Sequence, residues 1–224
     1  LEAAFSLSRP QLAFLMRSVK EEGKLSEVVK AVRDAPITSA SEREIQAALL
    51  RRLEPLERLR LFEGEVGIEE LLKKRVRINL SALPFEARRL TVNLLIRMLY
   101  NVVTTRRASS RAVLVVEEAG NLVVPRRPET PPLPGEVAVN EFRKYGVSVV
   151  AVAQSPSQVH SEAWRNAEYI ILHRVALSAF EAQFLNLGPE TIEELPKLPT
   201  GSAFLLHRGE VRKVRVPAAK RPKP

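Results

Sequence analysis

Residues 9–62 repeat apolar side chains at three- and four-residue spacing, the period of helices that bury one face. Ser8 is placed to cap a first helix entered through Pro10 and Gln11, with Leu12, Leu15, Met16 and Val19 along one side and Gly23 as its stop. A second, shorter helix is predicted over about 25–34, ahead of Pro36. A third begins near Ser41 and carries Ile45, Leu49, Leu53, Leu56 and Leu59, with Pro55 expected to bend or divide it. Residues 1–66 therefore read as a helical lobe.

The period changes after Gly67. "VRINLSAL" (76–83) alternates and predicts a strand. The next segment, 84–105, is an amphipathic helix begun by Pro84, with Leu90, Leu94, Leu95, Met98 and Val102 on its apolar side. "RAVLVV" (111–116) is almost wholly apolar, as strands buried in parallel sheets are. Five prolines between 125 and 134 then exclude any regular element and predict an exposed loop carrying Arg126 and Arg127. A short helix stopped by Gly146 leads into the apolar strand "VSVVAVAQ" (147–154), and "EYIILHRV" (168–175) predicts a further strand. A helix ends at Gly188, and 202–217 form a hairpin turning at Arg208, Gly209 and Glu210. Residues 217–224 are expected to be a disordered basic tail. Alternating strands and helices predict an α/β fold over 67–216 with a mainly parallel sheet and helices on both faces.

The 224 residues suffice for one sizeable core with an appendage. Cysteine is absent, which removes disulfides and thiolate metal sites from consideration, and the three histidines are widely spaced and make no recognisable metal cluster. No apolar run approaches the roughly eighteen residues of a membrane span, and no signal-peptide pattern opens the chain, so the expectation is a cytoplasmic protein. The net charge of +9 favours an anionic partner.

In open α/β sheets the polar residues just past the carboxyl ends of strands are the first functional candidates. Three such ends stand out: Asn79 with Ser81, Glu117 with Glu118, and Gln154 with Ser155. Two adjacent carboxylates raise each other's free energy unless a cation or a protic group shares their site. Acids, hydroxyls and an amide gathered round one crevice would suit Mg-ATP: one acid orients a water of the magnesium shell, the other the attacking water. Acids just past a strand also serve simply to cap the next helix.

Here "VLVVEEAGNL" resembles the Walker B segment of the HerA/FtsK-type ATPases, a branch of the RecA-like P-loop fold. The likeness is greatest to archaeal HerA-like helicases and VirB4-like conjugation ATPases, although Gly120 stands where that family usually has histidine. "FRKYGVSVVAVAQSPSQV" (142–159), "INLSAL" and "LPKLPTGSAFLLHRGEVRKVRV" resemble further family segments, in order, over about 76–216. The resemblance implies a RecA-like core in which Glu117 is the magnesium-associated acid, Glu118 the catalytic acid and Gln154 the sensor, with Ser81 and Ser155 near the nucleotide. Arg143 and Arg174 become candidates for an arginine finger acting on a neighbour's nucleotide, the alternative being plain surface arginines. Arg126 and Arg127 become candidates for contact with DNA phosphates.

No GxxxxGK[ST] occurs anywhere in the sequence, so the phosphate-cradling Walker A loop is missing from it. The expectation is that Leu1 lies downstream of that loop in a longer DNA translocase or helicase, hexameric, acting on double-stranded DNA in repair with a nuclease partner or in conjugation. The alternatives are a P-loop-less homologue acting as a structural subunit, and a basic DNA-binding module without ATP. Membrane association is expected only if the role is conjugative.

Overall fold

The protein's computed structural model describes residues 7–20, 23–60, 67–106, 111–121 and 134–218. Its contacts divide the chain into two units, Leu1–Ser110 and Arg111–Pro224. The expected proline-rich loop with Arg126 and Arg127, and the tail beyond residue 218, lie outside the described residues.

In the first unit Ser8 caps α1 (Arg9–Ser18) through a reciprocal box: the Gln11 N–H donates to Ser8 Oγ at 3.4 Å, and the Ser8 N–H to Gln11 Oε1 at 3.0 Å. The helices α2 (Leu25–Asp34) and α3 (Ala40–Arg58) follow. The cap of α3 is Ser39 rather than Ser41, with the Glu42 N–H donating to Ser39 Oγ at 3.1 Å. Pro55 does not divide this helix. Leu53 and Leu56, on either side of it, are buried in the same core, and that packing carries the helix through to Arg58.

The core joins Phe14 and Leu15 of α1, Val29 and Val32 of α2, and Leu49, Leu53 and Leu56 of α3. Met16, expected on the apolar side, is 70% exposed, because Phe14 takes the inward position instead. After α4 (Ile68–Lys73) the expected strand over 76–83 does not form. Val76 and Ile78 are exposed among Arg75, Arg77 and Asn79, and an extended segment becomes a strand only where a neighbour completes its ladder. In α5 (Phe85–Arg106) Ala87, Leu90, Asn93, Ile96, Leu99 and Val103 are buried; of the expected apolar stripe Leu90 is buried, Leu94 packs half-buried against the first core and Met98 is exposed. Both stripes satisfy the helical period, and neighbouring faces of so apolar a helix are not told apart by spacing. Both α4 and α5 fall within the first unit.

The second unit starts with β1 (Ala112–Val116), a single 3-10 turn at Ala119–Asn121, and α6 (Pro134–Glu141). A 3-10 turn, Phe142–Tyr145, ends at Gly146 in the left-handed region (φ 78°), where glycine carries no steric cost, and delivers the chain to β2 (Val147–Ala151). β1 and β2 pair in parallel from Ala112↔Val147 to Val116↔Ala151. After α7 (Ser161–Asn166), the strand expected over 168–175 is reduced to β3 (Ile170–Leu172). It pairs antiparallel with β4 (Ser202–His207), which pairs antiparallel with β5 (Glu210–Arg215). Between β3 and β4 lie α8 (Ala179–Phe184) and α9 (Pro189–Glu194). Parallel pairing is thus confined, among the described residues, to β1 and β2. The β4–β5 hairpin turns at Arg208 and Gly209, both at positive φ (50° and 82°), the backbone that a two-residue hairpin turn requires.

A second core gathers Leu172, Leu185, Leu187, Leu195, Leu198, Phe204 and Leu206, with Trp164 packed against it. The β1–β2 pair, expected to be buried on both faces, is open on one: Val113 and Val115 are 66% and 58% exposed, and Val150 46%. The parallel register explains this, since side chains alternate between faces and paired positions share one.

Leu53 is 1% exposed, so Leu53→Ala removes buried methyl groups and leaves a cavity. Urea denaturation is expected to show a loss of about 2–4 kcal/mol for the first unit. Met16→Ala is expected to stay within about 0.5 kcal/mol of the parent.

Candidate functional site

The parallel register determines where the predicted site residues lie. Two parallel strands in contact end on the same sheet edge, so Glu117 and Glu118 after β1 and Gln154 and Ser155 after β2 leave the ladder on one side. The ladder outlasts the strands themselves. The Val152 N–H donates to the Val116 carbonyl at 3.0 Å, and the Ala119 N–H donates to the Val152 carbonyl at 2.7 Å. Glu117 and Glu118 therefore sit inside a hydrogen-bonded bracket, between two residues that both bond to Val152. Glu118 has φ 57°, a left-handed backbone uncommon for a residue with a Cβ and most often kept where the surrounding structure enforces it. The bracket supplies that enforcement.

The second tip touches the first at Gly120. A Cβ there would stand 3.3 Å from the Gln158 carbonyl oxygen, closer than most Cβ contacts, and at an ordinary 3.6 Å from the Gln158 Cβ. Gln158 also accepts from the Gln154 N–H through Oε1 at 3.3 Å. Glu117, Glu118 and Gln154 are all exposed.

The turn after Gln154 is held by a residue that the sequence did not single out. Glu181, 9% exposed, lies in the first turn of α8. Its Oε1 accepts from the Ser155 hydroxyl at 2.8 Å and the Ser157 N–H at 3.0 Å; its Oε2 accepts from the Ser178 N–H at 2.9 Å and the Ser178 hydroxyl at 2.8 Å. The Ser155 hydroxyl, expected near nucleotide, also lies 2.7 Å from the Ser157 hydroxyl. The Ser-x-x-Glu spacing of 178–181 is the available signal, and it reads only as a capping box.

Arg143 projects from the Phe142–Tyr145 turn, its side chain 85% exposed and 3.8 Å from the Glu168 carboxylate. At that exposure the pair contributes little to stability. Arg174, two residues beyond β3, is exposed. Ser81 belongs to the first unit, where its N–H donates to Asn79 Oδ1 at 3.0 Å. Trp164 is half-buried, with Nε1 donating to the Pro156 and Val159 carbonyls at 3.2 and 3.3 Å. Tyr169 is 56% exposed and stacks on His207, ring centroids 4.4 Å apart.

No group of three or more His, Asp or Glu side chains among the described residues forms a metal cage. Two carboxylates at a strand tip suit magnesium all the same, since Mg²⁺ keeps several waters and takes one or two carboxylates together with substrate phosphates. Among the described residues no helix is long and apolar enough to cross a membrane.

Comparison with known proteins bears on this edge directly. Residues 70–177, just under half of the chain, match the family model of the zonular occludens toxin (Zot), a stretch that includes both strand tips. The chain superposes on VirB4 of Thermoanaerobacter pseudethanolicus with a TM-score of 0.60 and 17% identity, over 97% of this chain and 66% of that one. It superposes on the bacterial conjugative coupling protein TrwBΔN70 with a TM-score of 0.54 and 14% identity, over 89% of this chain and 56% of that one. A third match is the genome packaging NTPase B204 of Sulfolobus turreted icosahedral virus 2 in complex with AMPPCP, with a TM-score of 0.51, 13% identity and coverage of 69% and 73%. The chain has their α/β, RecA-like fold. It spans less than two thirds of the VirB4 and TrwB structures. No curated protein sequence matches it.

The Ser178 N–H first, then the Ser178 and Ser155 hydroxyls and the Ser157 N–H, hold the Glu181 carboxyl down to about 2 against the opposing effect of burial. A folded-state value below the ordinary 4.5 means that folding favours the ionised form. The stabilisation is complete above pH 4.5 and is lost as pH falls from there toward 2. Acid titration of stability should therefore show a gap between the parent and Glu181→Gln that is constant above about pH 5.5 and closes below 4.5. Glu42, held down to about 2 chiefly by its hydrogen bond from Arg17, titrates in the same window in both proteins and cancels from that difference.

Proposed function

We propose that this chain is the part after the Walker A loop of an ATP-hydrolysing, DNA-translocating motor of the HerA/FtsK type. One observation carries the reading. The parallel β1–β2 ladder brings an exposed pair of acids and an exposed glutamine to adjacent strand tips, bracketed by the Ala119–Val152 hydrogen bond. The RecA-like fold and the Zot match across both tips support it. Solved relatives of this fold bind AMPPCP in the packaging NTPase and GDPNP in TrwB, which supports a nucleotide at the edge.

In this reading Glu117 orients the hydration shell of magnesium, which when bound neutralises phosphate charge. Glu118 positions and polarises the attacking water, and Gln154 senses the γ-phosphate. The phosphate cradle comes from a Walker A loop outside this sequence. Arg143, exposed on a short turn, serves as the finger toward a neighbour's nucleotide in a hexameric ring, with Arg174 as the second candidate. Arg126 and Arg127 follow the phosphates of double-stranded DNA without reading bases. Helicase activity, a role in repair and a nuclease partner would be further properties of the same motor.

The test is ATP turnover by the protein translated from the native coding sequence. Glu118→Gln should lower kcat roughly a hundredfold or more while nucleotide affinity stays within a few-fold. Arg143→Ala should lower kcat by roughly a thousandfold, again with affinity retained, and mixing it with Glu118→Gln subunits should restore some turnover if the arginine acts in trans. A parent that neither binds nor hydrolyses ATP would leave the non-catalytic homologue as the reading.

A further inference from the structure

Gln154 stands at a point that the sheet alone does not fix. The β1–β2 ladder ends at Val152, and the chain then turns through Pro156–Gln158 before α7. That turn is gripped from two sides. Trp164 Nε1 donates to the carbonyls of Pro156 and Val159, and Glu181 Oε1 accepts from the Ser155 hydroxyl and the Ser157 N–H. The turn's last residue, Gln158, accepts from the Gln154 N–H and lies against Gly120 of the other tip.

Helix capping does not account for Glu181. A capping box needs one carboxylate oxygen on the N-cap residue, and Oε2 on Ser178 supplies it. Oε1 is surplus to the cap, and both its partners lie 24 to 26 residues upstream in the Gln154 turn. A nearly buried carboxylate with two donors on each oxygen cannot swing away without giving up four hydrogen bonds at once. We propose that Glu181 is a positioning residue, locking the Ser155–Gln158 turn and through it the placement of Gln154 against the Glu118 tip. Its consequence for turnover rests on the ATPase reading; the clamp itself does not.

Glu181→Gln keeps the side chain's shape, but the amide NH₂ cannot accept, so two of the four donors lose their acceptor. Ser178→Ala is the structural control, because it weakens the helix cap and leaves Oε1 in place. In the 224-residue chain, hydrogen exchange at the Ser157 amide should rise roughly tenfold in Glu181→Gln and stay within about twofold in Ser178→Ala. The side-chain amide of Glu181→Gln can turn its one oxygen to either pair of donors, so a Ser157 amide unchanged in Glu181→Gln and in Ser155→Ala alike overturns the clamp whatever the protein catalyses. In the protein from the native coding sequence, Glu181→Gln should lower kcat for ATP roughly tenfold with KM within about twofold, while Ser178→Ala loses thermal stability but keeps kcat. A kcat unchanged in Glu181→Gln, or lowered equally in both variants, overturns the positioning role. A parent without turnover overturns the ATPase reading alone, and the Ser157 amide still decides the clamp. Should Glu181→Gln fail to fold, Ser155→Ala removes one bond and spares the cap. A roughly threefold rise in Ser157 exchange then supports the clamp, and no rise overturns it.

Discussion

The parallel hydrogen bonding of β1 to β2 is the constraint from which the site's geometry follows. Parallel strands finish on the same side, so their polar tips become neighbours although 36 residues separate Glu118 from Gln154. A hairpin would have sent the two tips to opposite edges. The ladder also continues past the apolar runs, and the Ala119–Val152 bond turns the Glu117–Glu118 dipeptide into a short bulge held at both ends. Unfavourable φ at Glu118 is tolerated there because both flanking residues are already committed to Val152.

The surroundings of the two tips differ in kind. The first is held mainly by backbone, with Gly120 admitting the close approach of the Gln158 carbonyl. The second is held by side chains, Glu181 and Trp164, that come from elements later in the chain. A backbone bracket beside a side-chain clamp leaves Glu117, Glu118 and Gln154 exposed while the peptide that carries them is tied down.

Legibility in the sequence tracked the range of the forces involved. The start of α1 and both ends of α2 were readable, because capping and helical period act within a few residues, whereas α1 stops at Ser18, well before the expected Gly23. The β4–β5 turn was readable for the same reason. The segment 76–83 was misread as a strand, since its alternation is genuine but no neighbour pairs with it among the described residues. The apolar side of α5 was read only in part: Leu90 and Leu94 meet the core, but Met98 is exposed while Ile96, Leu99 and Val103, which satisfy the period equally well, are buried. Glu181 could not have been found from its surroundings in sequence. Its Ser-x-x-Glu box accounts for it locally, and its second set of partners becomes visible only when the chain has folded.

By itself the sequence determined the alternation of strand and helix, the helical character of the first sixty residues, the apolar runs of β1 and β2, and the acids and glutamine that end them. Those properties come from side-chain chemistry repeating at fixed local periods. Tertiary structure decided which strands pair and in which direction, and that β3 joins an antiparallel sheet instead of the parallel pair. It also decided that one face of the β1–β2 pair stays open and that Glu181 reaches back to Ser155 and Ser157. The reason is that each of these depends on contacts between residues far apart in the chain, whose free energy is realised only when the intervening loops have closed.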